Sequence, residues 1–124
     1  MPSSEYSRPN IIFLLPDQQR PDALGCYGSE VAGTPNLEHL AATGVTADSC
    51  YVQNPLCAPS RASFLTGRYP RTTGVRQNGQ SRFPAGEQLV SRTLADAGYR
   101  CGLVGKLHLS AAKGRWEPRP RDGY

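Results

Sequence analysis

The chain has 124 residues, the size of one small domain, with 14 lysines and arginines against 10 acidic residues and a net charge of +4. The cations are spread along the chain, without a basic stripe or aromatic platforms between them. This pattern argues against a nucleic-acid partner and favours a basic pocket for a small anion. No apolar run approaches the ~20 residues that a membrane span needs, so we expect no membrane partner either.

The first residues of the chain are polar. Residues 1–9 are rich in serine, proline and charge and predict a disordered leader. They carry no signal-peptide pattern, so we expect a cytoplasmic location with reduced cysteines. The four cysteines include no Cys-x-x-Cys pair, which argues against a zinc site.

A buried strand is predicted at Ile11–Leu15, where a continuous apolar run ends at a proline. Asp17 follows this strand almost directly. Because ligand sites gather beyond the carboxyl ends of parallel strands, Asp17 is a candidate metal ligand. An aspartate that only caps the following turn is the alternative.

The next predicted elements are a helix and a short strand. Thr34 can cap a helix that begins at Pro35 and ends at Gly44, with its apolar residues on one face. His39 lies near the opposite face, so we interpret it as a surface residue rather than a ligand. Residues 45–52 have modest β character, and we expect a short strand there.

The most specific stretch of the chain is residues 57–68. Pro59 suits the first position of a helix that ends near Gly67. Cys57 would then lie over a helix N-terminus, where free N–H groups and the helix dipole favour an anion, and Arg61 would add a full charge on the same side. An isolated cysteine in this setting would more often be an ordinary buried residue, but twelve residues of specified chemistry point to a site.

A long loop is predicted at residues 69–87, which contain several prolines and glycines and little apolar periodicity. A loop of this length in a compact domain is often functional. Asn78 within it is either a substrate contact or a turn residue before Gly79, and both interpretations stay open.

A second amphipathic helix is predicted at Glu87–Ala97, followed by a strand at Tyr99–Val104. Lys106 and His108 come just past the carboxyl end of that strand, where an α/β protein assembles its site. Taken alone, the two residues would more often belong to a solvated loop. The tail, residues 111–124, shows no core-facing pattern and is predicted to be irregular.

Residues 57–68 resemble the sulfatase signature Cys-x-Pro-Ser-Arg-x-x-x-Leu-Thr-Gly-Arg, with every specified position filled. Four further segments resemble sulfatase segments in the family's order: Pro9–Phe13, Leu24–Gly28, Thr34–Leu37 and Gly105–His108. The resemblance implies the α/β fold of the alkaline-phosphatase-like superfamily, with a mainly parallel sheet flanked by helices. Residues 10–110 would then be the N-terminal part of the catalytic domain.

The resemblance also implies an active site. A formylglycine-generating enzyme would oxidise Cys57 to formylglycine, which would ligate a divalent cation together with Asp17, with Ca²⁺ favoured and Mn²⁺ as the alternative. Arg61 would support the formylglycine, while Lys106 and His108 would contact the sulfate. One hydroxyl of the hydrated aldehyde would attack the sulfur of a small anionic sulfate ester, and the other would then eliminate sulfate. His108 would move a proton from the hydroxyl.

Two departures from the family pattern bear on function. Most sulfatases have Asp-Asp where this chain has Asp17-Gln18, a form that resembles choline sulfatases and phosphonate monoester hydrolases. A phosphonate or phosphate ester is therefore the alternative substrate. Family members are also several times longer and take further ligands from later sequence. We therefore expect the isolated chain to be an inactive fragment whose incomplete sheet exposes apolar edges.

Overall fold

The computed structural model describes residues 8–79, 83–109 and 122–124. Within them the chain forms four α-helices and two short 3₁₀ turns, the turns lying at Pro21–Ala23 and Gly25–Tyr27. The helices are α1 (Pro35–Thr43), α2 (Cys57–Thr66), α3 (Pro70–Thr73) and α4 (Val90–Asp96). None of these helices is long and apolar enough to cross a membrane. The chain divides into two compact units, Met1–Asp48 and Ser49–Tyr124.

In the first unit, α1 packs against the second 3₁₀ turn, and the predicted helix bounds at Pro35 and Gly44 are confirmed. The predicted capping role of Thr34 is wrong, because its hydroxyl accepts a hydrogen bond from Gly25 N at 2.9 Å and none from the N–H groups of α1. The Glu38 carboxylate reaches back to Thr34 N at 3.3 Å, one residue later than the glutamate of a capping box would. A Cβ at position 25 would lie 2.0 Å from the Glu38 carboxylate, so a larger residue there would displace this side chain from Thr34 N.

The three predicted strands, Ile11–Leu15, residues 45–52 and Tyr99–Val104, are not formed: the described residues contain no β-strand. All five residues of the first segment are exposed, with Ile12 at 81%. A strand exists only as part of a hydrogen-bonded ladder, and no described segment pairs with these three. The apolar run therefore indicates that the segment could be buried in a sheet, but the described residues contain no neighbouring strand that would bury it.

The core of the second unit lies between α2 and the segments that follow it. Small alanines on one face of α2 meet larger side chains from the rest of the unit, and α2 contacts both α3 and α4. The buried apolar residues are Ala58, Ala62, Val75, Phe83, Leu89, Leu107 and Leu109. Leu107 and Leu109 bring residues 103–109 against α2, so the segment Gly105–His108 is part of this core.

Two element predictions in the second unit need correction. The predicted loop 69–87 contains the short helix α3, which begins at Pro70 and ends at Gly74 with φ 74°. The predicted helix 87–97 is shorter, because α4 runs only from Val90 to Asp96. Leu89 precedes the helix in extended conformation and is fully buried instead.

The predicted leader, residues 1–9, and the predicted tail, residues 111–124, lie mostly outside the described residues. Of the tail, Asp122 is 1% exposed, and its carbonyl accepts a hydrogen bond from the Ser91 hydroxyl of α4. The last residues of the chain thus pack on α4, which the sequence pattern did not indicate. The assignment of residues 10–110 to the N-terminal part of a catalytic domain stays a prediction.

Candidate active site

Cys57 is the first residue of α2 and is partly buried. The helix begins two residues earlier than predicted, so Pro59 occupies its third position rather than its first, and the first intrahelical bond joins Ser60 N to Leu56 O at 3.1 Å. The proline is nonetheless accommodated, because the first four N–H groups of a helix have no acceptor within it. A proline in this turn removes a donor that the helix does not use.

The side chain of Asn78 lies at this first turn. Its Oδ1 accepts a hydrogen bond from Ala58 N at 2.9 Å, across a separation of 20 residues. The N-cap residue, Leu56, has an apolar side chain and provides no such acceptor. Asn78 therefore does for α2 what a serine or aspartate usually does locally, a contact that neither the turn nor the substrate interpretation included.

Arg61 connects α2 to the segment that carries the other candidate residues. It is only 7% exposed, and its guanidinium donates a hydrogen bond to the carbonyl oxygen of Lys106. A buried guanidinium needs acceptors, and a backbone carbonyl from a distant segment meets part of that need. The contact places residue 106 beside the helix that begins with Cys57.

The segment 105–109 has an unusual backbone. Gly105 has φ 96° and His108 has φ 50°, in the left-handed region that residues other than glycine seldom adopt. Leu107 and Leu109 are each 5% exposed, while the histidine between them is partly buried. Strained backbone of this kind persists where the surroundings determine it and is common at functional sites.

Asp17 belongs to the first unit, whereas the other candidate residues belong to the second. The residue after it, Gln18, is the other described non-glycine residue with positive φ, at 57°. Nearby, Arg20 Nε donates to Asp22 Oδ1 at 2.9 Å, and this hydrogen bond lowers the pKa of the exposed Asp22 carboxyl. The predicted pairing of Asp17 with position 57 stays a prediction.

The described residues do not by themselves complete a metal centre. No three histidine, cysteine, aspartate or glutamate side chains gather within the described part of the chain. A divalent cation such as Ca²⁺ takes six to eight oxygen ligands, so one aspartate and one modified cysteine would fill only part of its coordination sphere. His39 is exposed on α1, as a surface residue should be.

Residues 9–114 of the chain match the family model described as Sulfatase. The chain is 40% identical to an N-acetylglucosamine-6-O-sulfatase of Bacteroides thetaiotaomicron, over 85% of its own length and 19% of the relative's. It is 43% identical to the N-acetylgalactosamine-6-sulfatase of Sus scrofa, over 82% of its own length and 22% of the relative's. The chain thus spans about a fifth of the length of these relatives.

The solved structures give the same result. The structure of BT4656 in complex with its substrate, D-glucosamine-2-N,6-O-disulfate, matches with a TM-score of 0.78 and 39% identity, over 83% of this chain and 21% of that one. A 2-O glycosaminoglycan sulfatase, BT1596, matches with a TM-score of 0.66 and 28% identity, over 76% of this chain and 21% of that one. These neighbours have the alkaline-phosphatase-like fold, so the coarse fold prediction is confirmed while the parallel sheet is not. The chain belongs to the sulfatase family.

Proposed function

We propose that this chain carries the nucleophile of a sulfuric-ester hydrolase. The observation that carries the proposal is the match of residues 9–114 to the sulfatase family, which includes the whole signature from Cys57 to Arg68. The relatives named above are sulfatases of aminosugars, so a small sulfated sugar is the substrate class that they favour. The first turn of α2 is where the chemistry would occur.

Cys57 is the position of the proposed formylglycine. A hydrated formylglycine supplies two hydroxyls on one carbon, so that one can attack sulfur while the other restores the aldehyde as sulfate leaves. The place fits the group, because position 57 is partly open and begins a ten-residue helix whose N-terminal dipole favours an anion. The hydrogen bond from Ala58 to Asn78 fixes the backbone at this turn. The substrate-binding role of Asn78 thereby becomes secondary to a positioning role in our proposal.

Arg61, Lys106 and His108 have distinct proposed roles. The guanidinium of Arg61 has five N–H donors, so its bond to the Lys106 carbonyl is compatible with a further bond to the hydroxyls at position 57. The Lys106 ammonium opposes the negative charge that develops on the transferring sulfuryl group. His108 accepts a proton from a hydroxyl at position 57 as the ester is cleaved.

A divalent cation is part of the proposal only as a partner of Asp17. When bound, such an ion would polarise the sulfate and lower the pKa of a hydroxyl that it ligates. The described residues alone supply too few ligands to hold such an ion. The Asp17 carboxylate is a suitable oxygen donor for Ca²⁺ or Mn²⁺.

A phosphonate or phosphate ester is the second candidate substrate, favoured by Asp17-Gln18 in place of two aspartates. A neutral amide in place of a carboxylate reduces the negative charge of the site by one. A less negative site tolerates a dianionic phosphate monoester better, because like charges repel less. A phosphonate monoester carries one negative charge, as a sulfate ester does, and is favoured only by the resemblance of Asp17-Gln18 to phosphonate monoester hydrolases. Parallel assays of an aryl sulfate, an aryl phosphate and an aryl phosphonate on a full-length form that contains this chain distinguish the candidates, and preference for the phosphonate or the phosphate would overturn the sulfatase proposal.

The proposed modification is tested by co-expression of the chain with a formylglycine-generating enzyme, followed by peptide mass spectrometry and labelling with an aldehyde-reactive hydrazide. We expect the mass of an aldehyde at position 57 and labelling that is lost in Cys57→Ala. Cys101→Ala is the matched control, because it removes another partly buried cysteine of the same unit. A peptide that always carries an intact thiol at position 57 would contradict the formylglycine proposal.

A further inference from the structure

A shallow, open cavity of about 300 Å³ lies in the unit Ser49–Tyr124, and its described lining residues are Asn54, Pro70, Arg71 and Arg76. This volume is at the lower end of the range for small-ligand sites. Two of the described lining residues are arginines and none is acidic. Two guanidinium groups on a concave surface favour an anionic ligand.

The lining offers mainly hydrogen-bond donors. Each guanidinium group carries five N–H donors in a planar fork that matches carboxylate and sulfate oxygens. Asn54 Oδ1 already accepts a hydrogen bond from Leu56 N at 2.8 Å, so the NH₂ group of its amide is the part suited to a ligand. Charge-assisted bonds from such donors to an anion are about twice as strong as neutral ones.

The backbone that carries the two arginines is anchored in the core. Thr73 and Val75, which lie between them, are each 1% exposed. The Thr73 hydroxyl donates to Pro70 O at 3.3 Å and accepts from Val75 N at 3.3 Å. The backbone at Arg71 and Arg76 is therefore set before a ligand arrives, so that binding has to order only their exposed side chains.

Arg71 differs from other arginines of the same unit. Arg68 pairs with Glu87 at 3.0 Å, and Arg92 pairs with Asp96 at 2.9 Å. Arg71 has no carboxylate partner among the described residues. Its charge is available to an external anion.

The cavity borders the first turn of α2. Asn54 is three residues from Cys57, so their Cα atoms are at most about 11 Å apart even in fully extended chain. Arg76 is two residues before Asn78, whose side chain bonds to Ala58. This upper bound on the separation is compatible with one small molecule whose two acidic groups bind at the two places.

We propose that this cavity is a subsite for a second anionic group, a sulfate or a carboxylate, on the substrate whose sulfate ester is cleaved at position 57. The inference rests on the proposed function and narrows its substrate class to sulfate esters that carry a further acidic group. The second group binds between Arg71 and Arg76, with the amide of Asn54 as an additional donor.

Isothermal titration calorimetry of the chain tests this inference with inorganic sulfate and with ethane-, propane- and butanedisulfonate. We expect at least one disulfonate to bind about tenfold more tightly than sulfate, because a molecule that fills both places gains from the link between its two groups. Arg71→Gln and Arg76→Gln each bring that ratio close to one, since each loses a charged hydrogen bond. Arg100→Gln, at another exposed arginine of the same unit, leaves the ratio unchanged. Titration with 3-sulfopropanoate then distinguishes a carboxylate from a second sulfate.

A ratio near one in the unaltered chain, or a ratio that Arg71→Gln and Arg76→Gln leave unchanged, overturns the subsite. These outcomes are independent of the proposed reaction, because binding is measured without turnover. A missing aldehyde at position 57 together with an intact disulfonate preference would refute the proposed chemistry and leave the subsite standing. An active hydrolase that shows no preference for a disulfonate would support the proposed chemistry and refute the subsite.

Discussion

Replacement of Asn78 by alanine removes the oxygen that lies 2.9 Å from Ala58 N. Ala58 is 3% exposed, so water has little access to the N–H group that loses its acceptor. Leu56 cannot replace that acceptor, because its side chain has no polar atom. We therefore expect Asn78→Ala to destabilise the first turn of α2, where Cys57 lies.

The magnitude follows from two comparisons. Loss of a helix-capping side chain costs about 0.5–2 kcal/mol, and a buried donor left without a partner costs about 1–3 kcal/mol. Since the bond to Asn78 is only partly buried, we expect about 1 kcal/mol. In a unit of this size that is a decrease of roughly 4–8 °C in Tm, measured by circular dichroism. Faster hydrogen exchange at the Ala58 amide, measured by NMR, would locate the effect at the first turn.

Two variants make the interpretation specific. Gln77→Ala changes the adjacent exposed residue and should alter neither Tm nor the exchange of the Ala58 amide. Asn78→Asp keeps an acceptor and adds a negative charge near the helix N-terminus, where it contributes about 0.3–1 kcal/mol, so we expect stability to be retained. Sulfate binding should nonetheless weaken in this variant because like charges repel. If Asn78→Ala behaves like Gln77→Ala in both Tm and amide exchange, the capping argument is wrong.

Two further predictions concern the same unit. Arg61→Met keeps the apolar stem but removes the donor that Arg61 offers to the Lys106 carbonyl, and we expect a loss of about 2 kcal/mol in urea unfolding. Arg92→Met, at the exposed pair with Asp96, should cost less than about 1 kcal/mol, and equal losses would contradict the structural role of Arg61. Gly123→Ala places a Cβ 2.6 Å from the backbone of α4 in addition to the strain of φ 86°, whereas Gly79→Ala at φ 84° meets nothing within 4 Å. We expect Gly123→Ala to cost about 1–3 kcal/mol more than Gly79→Ala, and equal effects on Tm would show that the chain end does not pack on α4.

The helices show which parts of the fold could be predicted from the sequence. The bounds of α1 follow from local chemistry, with proline at its first position and glycine after its last. The same rule predicted the end of α2 near Gly67, whose φ of 68° lies in the left-handed region that favours glycine. The short helix α3 has the same proline and glycine at its ends but is a single turn, too short to show a periodic apolar face.

The strands could not be predicted with the same success. The run Ile11–Leu15 indicates a segment that would be stable between two neighbours in a sheet. Whether those neighbouring strands form depends on the rest of the sheet, and a local sequence pattern carries no information about it. Asn78 presents the same difficulty in the candidate site, since its partner is 20 residues away. The available signal was that neither Leu56 nor Ala58, the residues before either possible helix start, has a side-chain acceptor, which leaves the helix in need of a distant one.

The energetics of residues 107–109 support a positioned rather than a solvated His108. Its left-handed backbone costs about 1–3 kcal/mol. Burial of Leu107 and Leu109, each 5% exposed, contributes about 1.5–3 kcal/mol apiece. The two leucines therefore more than offset the strain, and the packing of the core sets the histidine's conformation against its local preference. A solvated loop would bury no leucines to offset the strain, so its backbone would relax to a negative φ. Because Arg61 also bonds to this segment, the core of the unit and the geometry of the candidate site depend on the same contacts.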